Sequence, residues 1–554
     1  MRLDRLWIDQ YKNLRDITID FDEDEWVTVL IGWNGTGKSN VIEALSIIFR
    51  DLIFTSKKQK AKFSPPFSYR LYYECSGHDI CIHADSSLQG AKSVAIRTCL
   101  EGLVAWEFDS SDLERGELVR LSKMSEESSP FCPQFIFGYY SGESSRLSDV
   151  FWDYIEDFDK QLRAGKDPGL KRLFYAQPEH SNYVLLSFIL QQDEETVNEF
   201  LIRQLGLDPD SGIDSVLFVM NQPSWKSKEG DPRFWNARGI VSEFLGRLYD
   251  ASLAPIRISR EVSSSLWNKK KREFLYLYVK DLASLRELAQ QQEPRQFFRD
   301  LESTHVSELI DEVRIRIRLK KNDGKVTFRE LSEGEQQLLT VLGLLRFTKE
   351  RESLFLLDEP DTHLNPRWAV DYIYYLRRFV DAAESEDEHS HIVLATHNPL
   401  AIAELHKKQV RILRRNEENL HVEAFEPEES PRGMGYAGIV TSDMFGINTS
   451  LDKSTYELLE RQRAFAAFDT LTKEQNQELH DINQKLDRLG FRFQHPDEEY
   501  SRYLRLRSQA IAAQYDESDP EKLSQSSSEM NREEKEELAR RLITEMISEE
   551  EGQA

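Results

Sequence analysis

The sequence Gly32-Trp33-Asn34-Gly35-Thr36-Gly37-Lys38-Ser39 decides the fold, because it fits the pattern G-x-x-x-x-G-K-[ST] without a gap. An apolar run, Val27–Ile31, precedes it and is typical of a buried strand. Apolar residues then recur with helical spacing over 40–49. A glycine-rich turn between a strand and a helix can wrap an anion, since the helix N-terminus offers it free N–H groups. The stretch therefore predicts a phosphate-binding loop.

This loop predicts particular roles for its residues. We expect the Lys38 ammonium group to reach the β- and γ-phosphates of a nucleotide, and the Ser39 hydroxyl to hold Mg²⁺. ATP and Mg²⁺ are therefore the expected cofactors. A chance glycine-rich turn is the alternative interpretation, and the second half of the chain argues against it. The residues predicted to contact the nucleotide here are Gly32, Asn34, Gly35, Gly37, Lys38, Ser39 and Asn40.

Two later strands are predicted to end in catalytic groups. The apolar run 354–357 leads directly into Asp358 and Glu359. A carboxylate at a strand end can bind the Mg²⁺ shell, which is the role predicted for Asp358, while Glu359 is placed to polarise the water that attacks the γ-phosphate. The apolar run 392–395 ends just before His397, for which we predict a γ-phosphate contact. Glu359 and His397 are thus the predicted catalytic residues.

The segment Leu331-Ser332-Glu333-Gly334-Glu335 opens a predicted helix and has two interpretations. Ser332 and Glu335 have the spacing of a capping box, which would be purely structural. Alternatively, Ser332 and Gly334 contact the nucleotide, because a helix N-terminus supplies N–H groups to a phosphate. The order along the chain is phosphate loop, Leu-Ser-x-Gly, Asp-Glu and then His, and this order favours the second interpretation.

Composition restricts the classes of function. The 554 residues include 72 basic and 97 acidic ones, and the net charge of −25 argues against indiscriminate nucleic-acid binding. A local basic surface remains compatible with this balance. Arg314, Arg316, Arg318 and Lys320 alternate with other residues, so they lie on one face of a predicted strand. Either a solvated edge strand or a strip that contacts nucleic-acid phosphates accounts for them.

The cysteines and the N-terminus indicate a cytoplasmic protein. Cys75, Cys81, Cys99 and Cys132 have no metal-ligand spacing, so buried reduced thiols are the prediction. The first residues are charged and lack the apolar core of a signal peptide. No run approaches the ~20 apolar residues of a membrane span, so no membrane partner is expected.

Taken together, residues 2–50 and 328–415 resemble the ABC-type ATPase head of SMC, Rad50 and RecF proteins. The resemblance implies an α/β fold: an ABC-type P-loop ATPase head with an antiparallel β lobe, a helical insertion and a helical C-terminal extension. The expected parts are the N-terminal half of the head with its β lobe, a mainly helical insertion, the C-terminal half of the head, a helical region and a flexible acidic tail, over 1–150, 151–310, 311–450, 451–515 and 516–554 respectively.

The same resemblance implies a head-to-tail dimer. ATP would lie between the phosphate loop of one protomer and Ser332 and Gly334 of the other. The family also carries a Q-loop glutamine at the end of a strand, which is expected just before Ser141 in this chain. The sequence departs from the pattern at that position, because Gln134 comes too early. The residue that completes the metal site there is left open.

A narrower resemblance covers most of the chain. The runs Phe137-Gly138-Tyr139-Tyr140-Ser141-Gly142 and Leu173-Phe174-Tyr175-Ala176-Gln177-Pro178-Glu179-His180 are similar to those of the PtuA ATPases of Septu-type antiphage systems, which also accompany certain retrons. This family implies an ATPase that acts beside an HNH nuclease, PtuB. Its hydrolysis is expected to be slow if the nucleotide-bound state is itself the signal. In the retron form, a reverse transcriptase and its RNA–DNA hybrid are further partners.

Nuclease activity is not expected in this chain itself. A Toprim nuclease needs a strand-borne Glu and a later Asp-x-Asp, so that carboxylates converge on metal, and neither follows His397. Three other functions compete with the defence ATPase. They are a RecF- or SMC-like repair ATPase that binds DNA directly, the ATPase subunit of a membrane transporter, and a non-catalytic structural protein. The acidic net charge and the lack of a long coiled coil weigh against the repair ATPase.

Overall fold

The computed structural model forms two compact units, 1–433 and 434–554. It describes most of the first unit and part of the second. The described residues are 1–22, 24–54, 63–104, 106–126, 128–142, 144–190, 195–207, 212–263, 269–289, 292–318, 325–327, 331–348, 352–380, 390–416, 419–447, 449–465, 471–491, 503, 506–507, 509–511, 513, 530 and 532–551. The basic segment 57–62, Lys320 and part of the predicted tail, 516–529, lie outside them.

Strands and helices alternate through the first unit. The strands are β1 (Arg2–Tyr11), β2 (Leu14–Asp20), β3 (Val27–Ile31), β4 (Tyr69–Cys75), β5 (His78–Ala84), β6 (Val94–Leu100), β7 (Glu117–Val119), β8 (Phe135–Tyr140), β9 (Leu173–Tyr175), β10 (Ile213–Asn221), β11 (Ile256–Ser263), β12 (Lys269–Val279), β13 (Ile310–Arg318), β14 (Lys325–Thr327), β15 (Ser353–Asp358), β16 (Ser390–Ala395), β17 (Val410–Arg415) and β18 (Val422–Phe425). The helices are α1 (Lys38–Ile53), α2 (Leu121–Met124), α3 (Arg146–Arg163), α4 (His180–Ile189), α5 (Glu195–Arg203), α6 (Gly239–Ala251), α7 (Leu282–Ala289), α8 (Pro294–Val306), α9 (Glu333–Thr348) and α10 (Pro366–Val380).

A seven-stranded sheet organises this unit, with the order β18-β17-β3-β16-β15-β8-β9. All neighbouring pairs are parallel except β17 and β18. Strands covered on both faces are apolar throughout, which is why the sequence identified β3, β15 and β16 from unbroken apolar runs. The carboxyl ends of parallel strands share one edge of the sheet, so the loops that follow β3, β8, β15 and β16 meet there.

Helix α1 lies between this sheet and a second, antiparallel sheet with the order β2-β1-β4-β5-β6-β7. Val41 and Leu45 of α1 belong to one buried apolar cluster with Leu6 of the antiparallel sheet and Leu356 of the parallel one. The helix is buried nearly all round, because it is covered by a sheet on both sides. The predicted β1–β2 hairpin and the predicted antiparallel lobe are confirmed.

The apolar and aromatic run 103–108 predicts a further strand of this lobe. This prediction is wrong, because the described residues of the run form bends and loop, and the next strand is β7. Phe108 and Trp106 instead pack against the ring of Tyr72, with centroid separations of 4.7 and 6.0 Å. The segment is therefore a loop whose aromatic side chains pack on the sheet. A positive φ of 63° at Phe108 is incompatible with an extended backbone there.

A third sheet is antiparallel and has the order β11-β12-β10-β13-β14. Apolar residues with helical spacing predict a helix over 274–292. This prediction is wrong for 274–279, which belong to strand β12, whereas Leu282–Ala289 is helical. Nearly every residue at the start of that run is apolar or aromatic, so the run fits both the spacing of a helix and the alternation of a strand. The described residues of 151–310 thus hold four strands, β9 to β12, in addition to the predicted helices. Helices α6, α7 and α8 cover one face of this sheet.

The second unit is helical. It contains α11 (Gly435–Thr441), α12 (Lys453–Phe465), α13 (Lys473–Arg488) and α14 (Arg532–Glu551). Helices α12 and α13 pack together around Phe465, Ile482 and Leu486. Thr472 caps α13 through a reciprocal pair of hydrogen bonds with Gln475.

The cysteines follow the prediction, since all four are buried free thiols. Burial raises the pKa of the Cys81 and Cys132 thiols to about 12 and that of Cys75 well above its ordinary value. These thiols are therefore unreactive core residues. In the part of the chain that the structure describes, no helix is both long and apolar enough to cross a membrane.

Candidate functional site

The phosphate loop connects β3 to α1 and forms a cradle that excludes side chains. Gly32 has a φ of 149°, and a Cβ there would lie 2.3 Å from the carbonyl oxygen of Leu413. Gly37 has a φ of 99°, and its Cβ would lie 2.7 Å from Leu14 Cδ2. Both conformations favour glycine, and both positions leave no room for a larger residue. The loop can therefore keep its backbone N–H groups close to an anion.

Lys38 begins α1 and folds back over the loop. Its Nζ donates to the carbonyl oxygens of Gly32, at 2.7 Å, and Trp33, at 3.4 Å. Burial lowers the pKa of the Lys38 ammonium group, and the nearby carboxylates of Glu359 and Asp358 oppose this shift. The Lys38 hydrogen bonds go to neutral carbonyl oxygens. A phosphate oxygen carries negative charge, so its hydrogen bond with the ammonium group would be stronger.

Ser39 and Asp358 meet although they are far apart in sequence. Ser39 Oγ donates to Asp358 Oδ1 at 3.0 Å. Asp358 ends β15 and is 2% exposed, so burial raises the pKa of its carboxyl group, while Ser39 and Arg146 oppose the rise. A hydroxyl and a carboxylate are hard oxygen donors of the kind that Mg²⁺ prefers. These residues fit Mg²⁺ beside a nucleotide phosphate.

Arg146 is a site residue that the sequence did not single out. It begins α3, and its guanidinium group donates to Asp358 Oδ2 at 3.3 Å and to Asn40 Oδ1 at 3.4 Å. Asn40 in turn donates to Asn13 Oδ1 at 2.5 Å. Arg146 thus contacts the predicted metal ligand from the loop after β8, where the Q-loop glutamine was expected. A cation is an unexpected residue next to a metal ligand, so only the geometry reveals it.

The two predicted catalytic residues follow the neighbouring strands β15 and β16. His397 Nδ1 lies 3.2 Å from Glu359 Oε1, in the loop after β16. Glu359 has a φ of 53°, a conformation uncommon for a residue other than glycine and often found at active sites. Beneath it, Thr396 Oγ1 donates to both oxygens of the buried Asp361 at 2.9 Å. The Asp361–Thr396 contact therefore joins the two loops.

Ser332 and Gly334 lie at the N-terminus of α9, and their contacts are structural. The Ser332 backbone N–H donates to Glu335 Oε2 at 2.7 Å and its hydroxyl at 2.9 Å, while the Glu335 N–H lies 3.3 Å from Ser332 Oγ. These bonds form the capping box that the spacing allowed. A Cβ at Gly334 would lie 2.5 Å from the carbonyl oxygen of His363. The structure brings Ser39, Asp358, Glu359 and His397 into direct contacts with one another or with Arg146, and it gives Ser332 and Gly334 different neighbours.

Two family models match the chain. Residues 1–99 match "AAA ATPase domain", and residues 227–403 match "AAA domain, putative AbiEii toxin, Type IV TA system". The first segment contains the phosphate loop. The second contains the helix α9 N-terminus, the β15 carboxylates and His397. The chain therefore carries AAA-type ATPase domains.

Two curated relatives narrow the likeness. The Septu protein PtuA of Bacillus mycoides (strain KBAB4) is 26% identical over 168 residues, which are 29% of this chain and 22% of PtuA. The "Retron Vc95 probable ATPase" of Vibrio cholerae serotype O1 biovar El Tor is 21% identical over 463 residues, which are 78% of this chain and 77% of that protein. The chain resembles PtuA. Its match spans about a fifth of PtuA's length and about three quarters of the retron ATPase's length.

A solved structure also matches in part. The SmcHead bound to the C-winged helix domain of ScpA is 12% identical, with a TM-score of 0.32, over 77% of this chain and 98% of that chain. So low a TM-score does not establish a common fold. The fold class, an ABC-type P-loop ATPase, instead follows from the parallel sheet, the loop between β3 and α1, and the family models.

The run 173–180, which supported the PtuA resemblance, belongs to a buried polar network. His180 Nδ1 accepts a hydrogen bond from the Gln177 N–H at 2.7 Å, so its proton lies on Nε2, 2.7 Å from Glu302 Oε2. Lys171 forms an ion pair with the same carboxylate, and all three charged or titratable side chains are at most 3% exposed. Tyr183 extends the network to His305 at 3.0 Å. These residues hold α4 to α8.

Proposed function

We propose that the chain is the ATPase of an antiphage defence system and controls a separate nuclease. The contact between Ser39 and Asp358 carries the ATPase part of this proposal, because it places a hydroxyl and a carboxylate directly after a loop that fits phosphates. The names of the two curated relatives, a Septu protein and a retron ATPase, support the defence part.

Within this proposal, each loop residue has a task. Lys38 donates to the phosphates in place of the carbonyl groups that it bonds in the free protein. Ser39 and Asp358 would hold Mg²⁺, which would neutralise charge on the phosphates. Glu359 accepts a proton from the attacking water, and His397, 3.2 Å away, orients that carboxylate and faces the γ-phosphate. Hydrolysis by a single protomer is slow if a second protomer supplies part of the site.

The proposed partner in catalysis is a second copy of the chain. Ser332 and Glu333 are exposed at the start of α9, whose first N–H groups point away from the helix. We assign Ser332 and Gly334 to the γ-phosphate bound on the other protomer, in a head-to-tail dimer. ATP would then hold two heads together, and its hydrolysis would release them.

The nuclease partner is proposed from the resemblance to Septu-type ATPases and not from a site in this chain. We propose an HNH nuclease similar to PtuB, held active or inactive by the dimer state. In a retron-associated form, a reverse transcriptase with its RNA–DNA hybrid would bind the same assembly. The cytoplasm is the proposed compartment.

The first test uses Glu359→Gln, which keeps the shape of the side chain and removes its basicity. We expect ATP hydrolysis to fall at least about a hundredfold while ATP binding is retained, because a general base contributes about that factor. Mass photometry with ATP should find more dimer than for the unchanged protein. Glu101→Gln, at an exposed residue just after β6 in the antiparallel lobe, is the matched control and should hydrolyse ATP normally. Normal hydrolysis by Glu359→Gln would refute the catalytic role.

The second test addresses the nuclease. The tagged full chain is recovered from its native host with and without ATP, and the co-purified proteins and nucleic acids are identified. Recovery of a nuclease supports the proposal, as does a nuclease with a reverse transcriptase and an RNA–DNA hybrid. Recovery of the protein alone, with ATP-dependent binding to bare DNA, would favour a repair ATPase.

A further inference from the structure

The five-stranded sheet has one face that no described helix covers. Along β12, Leu275 and Leu277 are fully buried on the side of α6, α7 and α8. Tyr276 and Tyr278 alternate with them and are half-exposed on the opposite side. Successive side chains of a strand point to opposite faces, so the sheet has a buried face and a partly open one.

Strand register brings five arginines to this open face. Arg314 is opposite Leu217, and Leu217 is opposite Tyr278, so all three share a face. Arg316 and Arg318 follow at two-residue steps along β13. Arg260 of β11 is directly opposite Arg272 of β12. We call this surface the arginine face; it consists of Arg260, Arg272, Tyr276, Tyr278, Arg314, Arg316 and Arg318.

The charges on the arginine face are incompletely balanced. Arg314 pairs with Glu312 at 2.7 Å and Arg318 with Asp214 at 2.6 Å, while Arg260 lies 3.7 Å from Asp311. Among the described residues, Arg272 and Arg316 form no ion pair. Five guanidinium groups thus face three carboxylates, in a chain whose net charge is −25.

One pairing on this face opposes stability. Like charges directly opposite each other in an antiparallel sheet are destabilising, and Arg260 and Arg272 are such a pair. The Arg260 guanidinium lies 3.8 Å from the centre of the Phe274 ring, which compensates only Arg260. An anion bound across the two side chains would remove the repulsion.

We propose that the arginine face binds single-stranded nucleic acid. Arg314, Arg316 and Arg318 form a row with steps of ~6.8 Å, along which a phosphate backbone can lie. Tyr276 and Tyr278 have the same spacing on β12, which β10 separates from β13. Their rings offer surfaces on which unpaired bases stack. A duplex exposes phosphates but no base faces, so it would leave the tyrosines unused. An acidic peptide would leave them unused as well.

The test measures binding by the full-length protein to a fluorescent oligothymidine of about 20 nucleotides, over a range of salt concentrations. The variant is Arg272→Ala/Arg316→Ala, because neither arginine pairs with a carboxylate among the residues that the structure describes. We expect affinity to fall about tenfold or more and the slope of log affinity against log salt to fall by about 1.4, or about 0.7 for each lost phosphate contact. Lys92→Ala/Arg120→Ala removes two exposed cations from the antiparallel lobe and should bind like the unchanged protein.

A second variant tests the tyrosines separately. Tyr276→Leu/Tyr278→Leu keeps apolar bulk, so we expect about a tenfold loss of oligothymidine affinity with the salt slope unchanged. The same measurements use a duplex of equal length and polyglutamate. Tighter binding of the duplex, equal binding of polyglutamate, or unchanged binding by the arginine variant would each overturn the proposal. ATP binding by both variants is measured as well. If it is retained, a loss of oligothymidine affinity does not result from damage to the ATP site.

Discussion

Two clusters of charge in the first unit look alike in composition and differ in function. Asp358 and Glu302 are both buried carboxylates, each 2% exposed. Glu302 is enclosed with Lys171, whose ammonium group is equally buried. Among the described residues, Asp358 bonds the Ser39 hydroxyl and the partly exposed Arg146, at 3.3 Å. The first cluster is closed on itself, whereas the second lies at the open edge of the parallel sheet.

The direction of each pKa shift expresses this difference. Burial raises the pKa of Asp358, and its neighbours only partly oppose the rise. Burial acts in the same direction on Glu302, but Lys171 and His180 overcome it, so the pKa of Glu302 lies well below its usual range. A carboxylate whose charge is already compensated has a structural role. One whose charge is under-compensated is ready for a cation, which indicates a binding site.

The largest expected effect comes from breaking the closed cluster. Glu302→Ala leaves the Lys171 ammonium group buried without its carboxylate, so we expect a loss of about 3–5 kcal/mol in the free energy of unfolding. Urea unfolding measures it. The double variant Lys171→Met/Glu302→Met removes both charges and should recover most of the loss. If the single variant is as stable as the double one, the unpaired Lys171 charge is not the source of the loss.

The next effect concerns the open cluster. Lys38→Ala removes the buried ammonium group from the phosphate loop, and we expect ATP affinity to fall about a hundredfold, the equivalent of a strong charge-assisted hydrogen bond. Isothermal titration calorimetry measures the affinity, and Lys92→Ala is the control. The free energy of unfolding without nucleotide should change far less for Lys38→Ala than for Glu302→Ala. An ATP affinity within a factor of two of the unchanged protein would contradict the assignment.

Arg146→Ala tests whether the open cluster is poised for a metal. The Arg146 guanidinium and Mg²⁺ compete for one carboxylate, so we expect Mg²⁺ alone to bind the variant about tenfold more tightly. Titration with Mg²⁺, with and without ADP, measures this without any turnover. Arg120→Ala, which removes an exposed arginine after β7, is the control. Weaker binding by the variant would instead assign Arg146 to positioning Asp358.

The smallest expected effect is a pH-dependent change in stability. Above the raised pKa of Asp358 its buried charge costs stability, whereas below the ordinary pKa the group is protonated in both states and the cost is absent. Asp358→Asn should therefore raise Tm by about 1–2 °C near pH 8 and leave it unchanged near pH ~3. Thermal melts at both pH values measure the difference. Equal shifts at the two pH values would show that titration of Asp358 is not the cause.

Much of the open cluster was predictable, because its residues follow apolar runs that end at one edge of a parallel sheet. The contact between Ser39 and Asp358 and that between Glu359 and His397 are examples. Arg146 was not predictable, since an arginine after a serine-rich turn resembles any solvated helix start. The closed cluster was also hidden, because nothing in the sequence pairs Lys171 with Glu302.

The sequence by itself determined the phosphate loop, the strands on either side of it and the chemical type of each catalytic group. Short-range patterns define these features, since glycine positions, apolar runs and strand ends are local. Only the tertiary structure decided which charges neutralise one another and which remain open, and which part of 274–292 is strand. Those outcomes depend on long-range packing: burial against α6, α7 and α8 selects the strand, and the distance between a carboxylate and a cation decides whether a cluster stabilises the fold or binds a ligand.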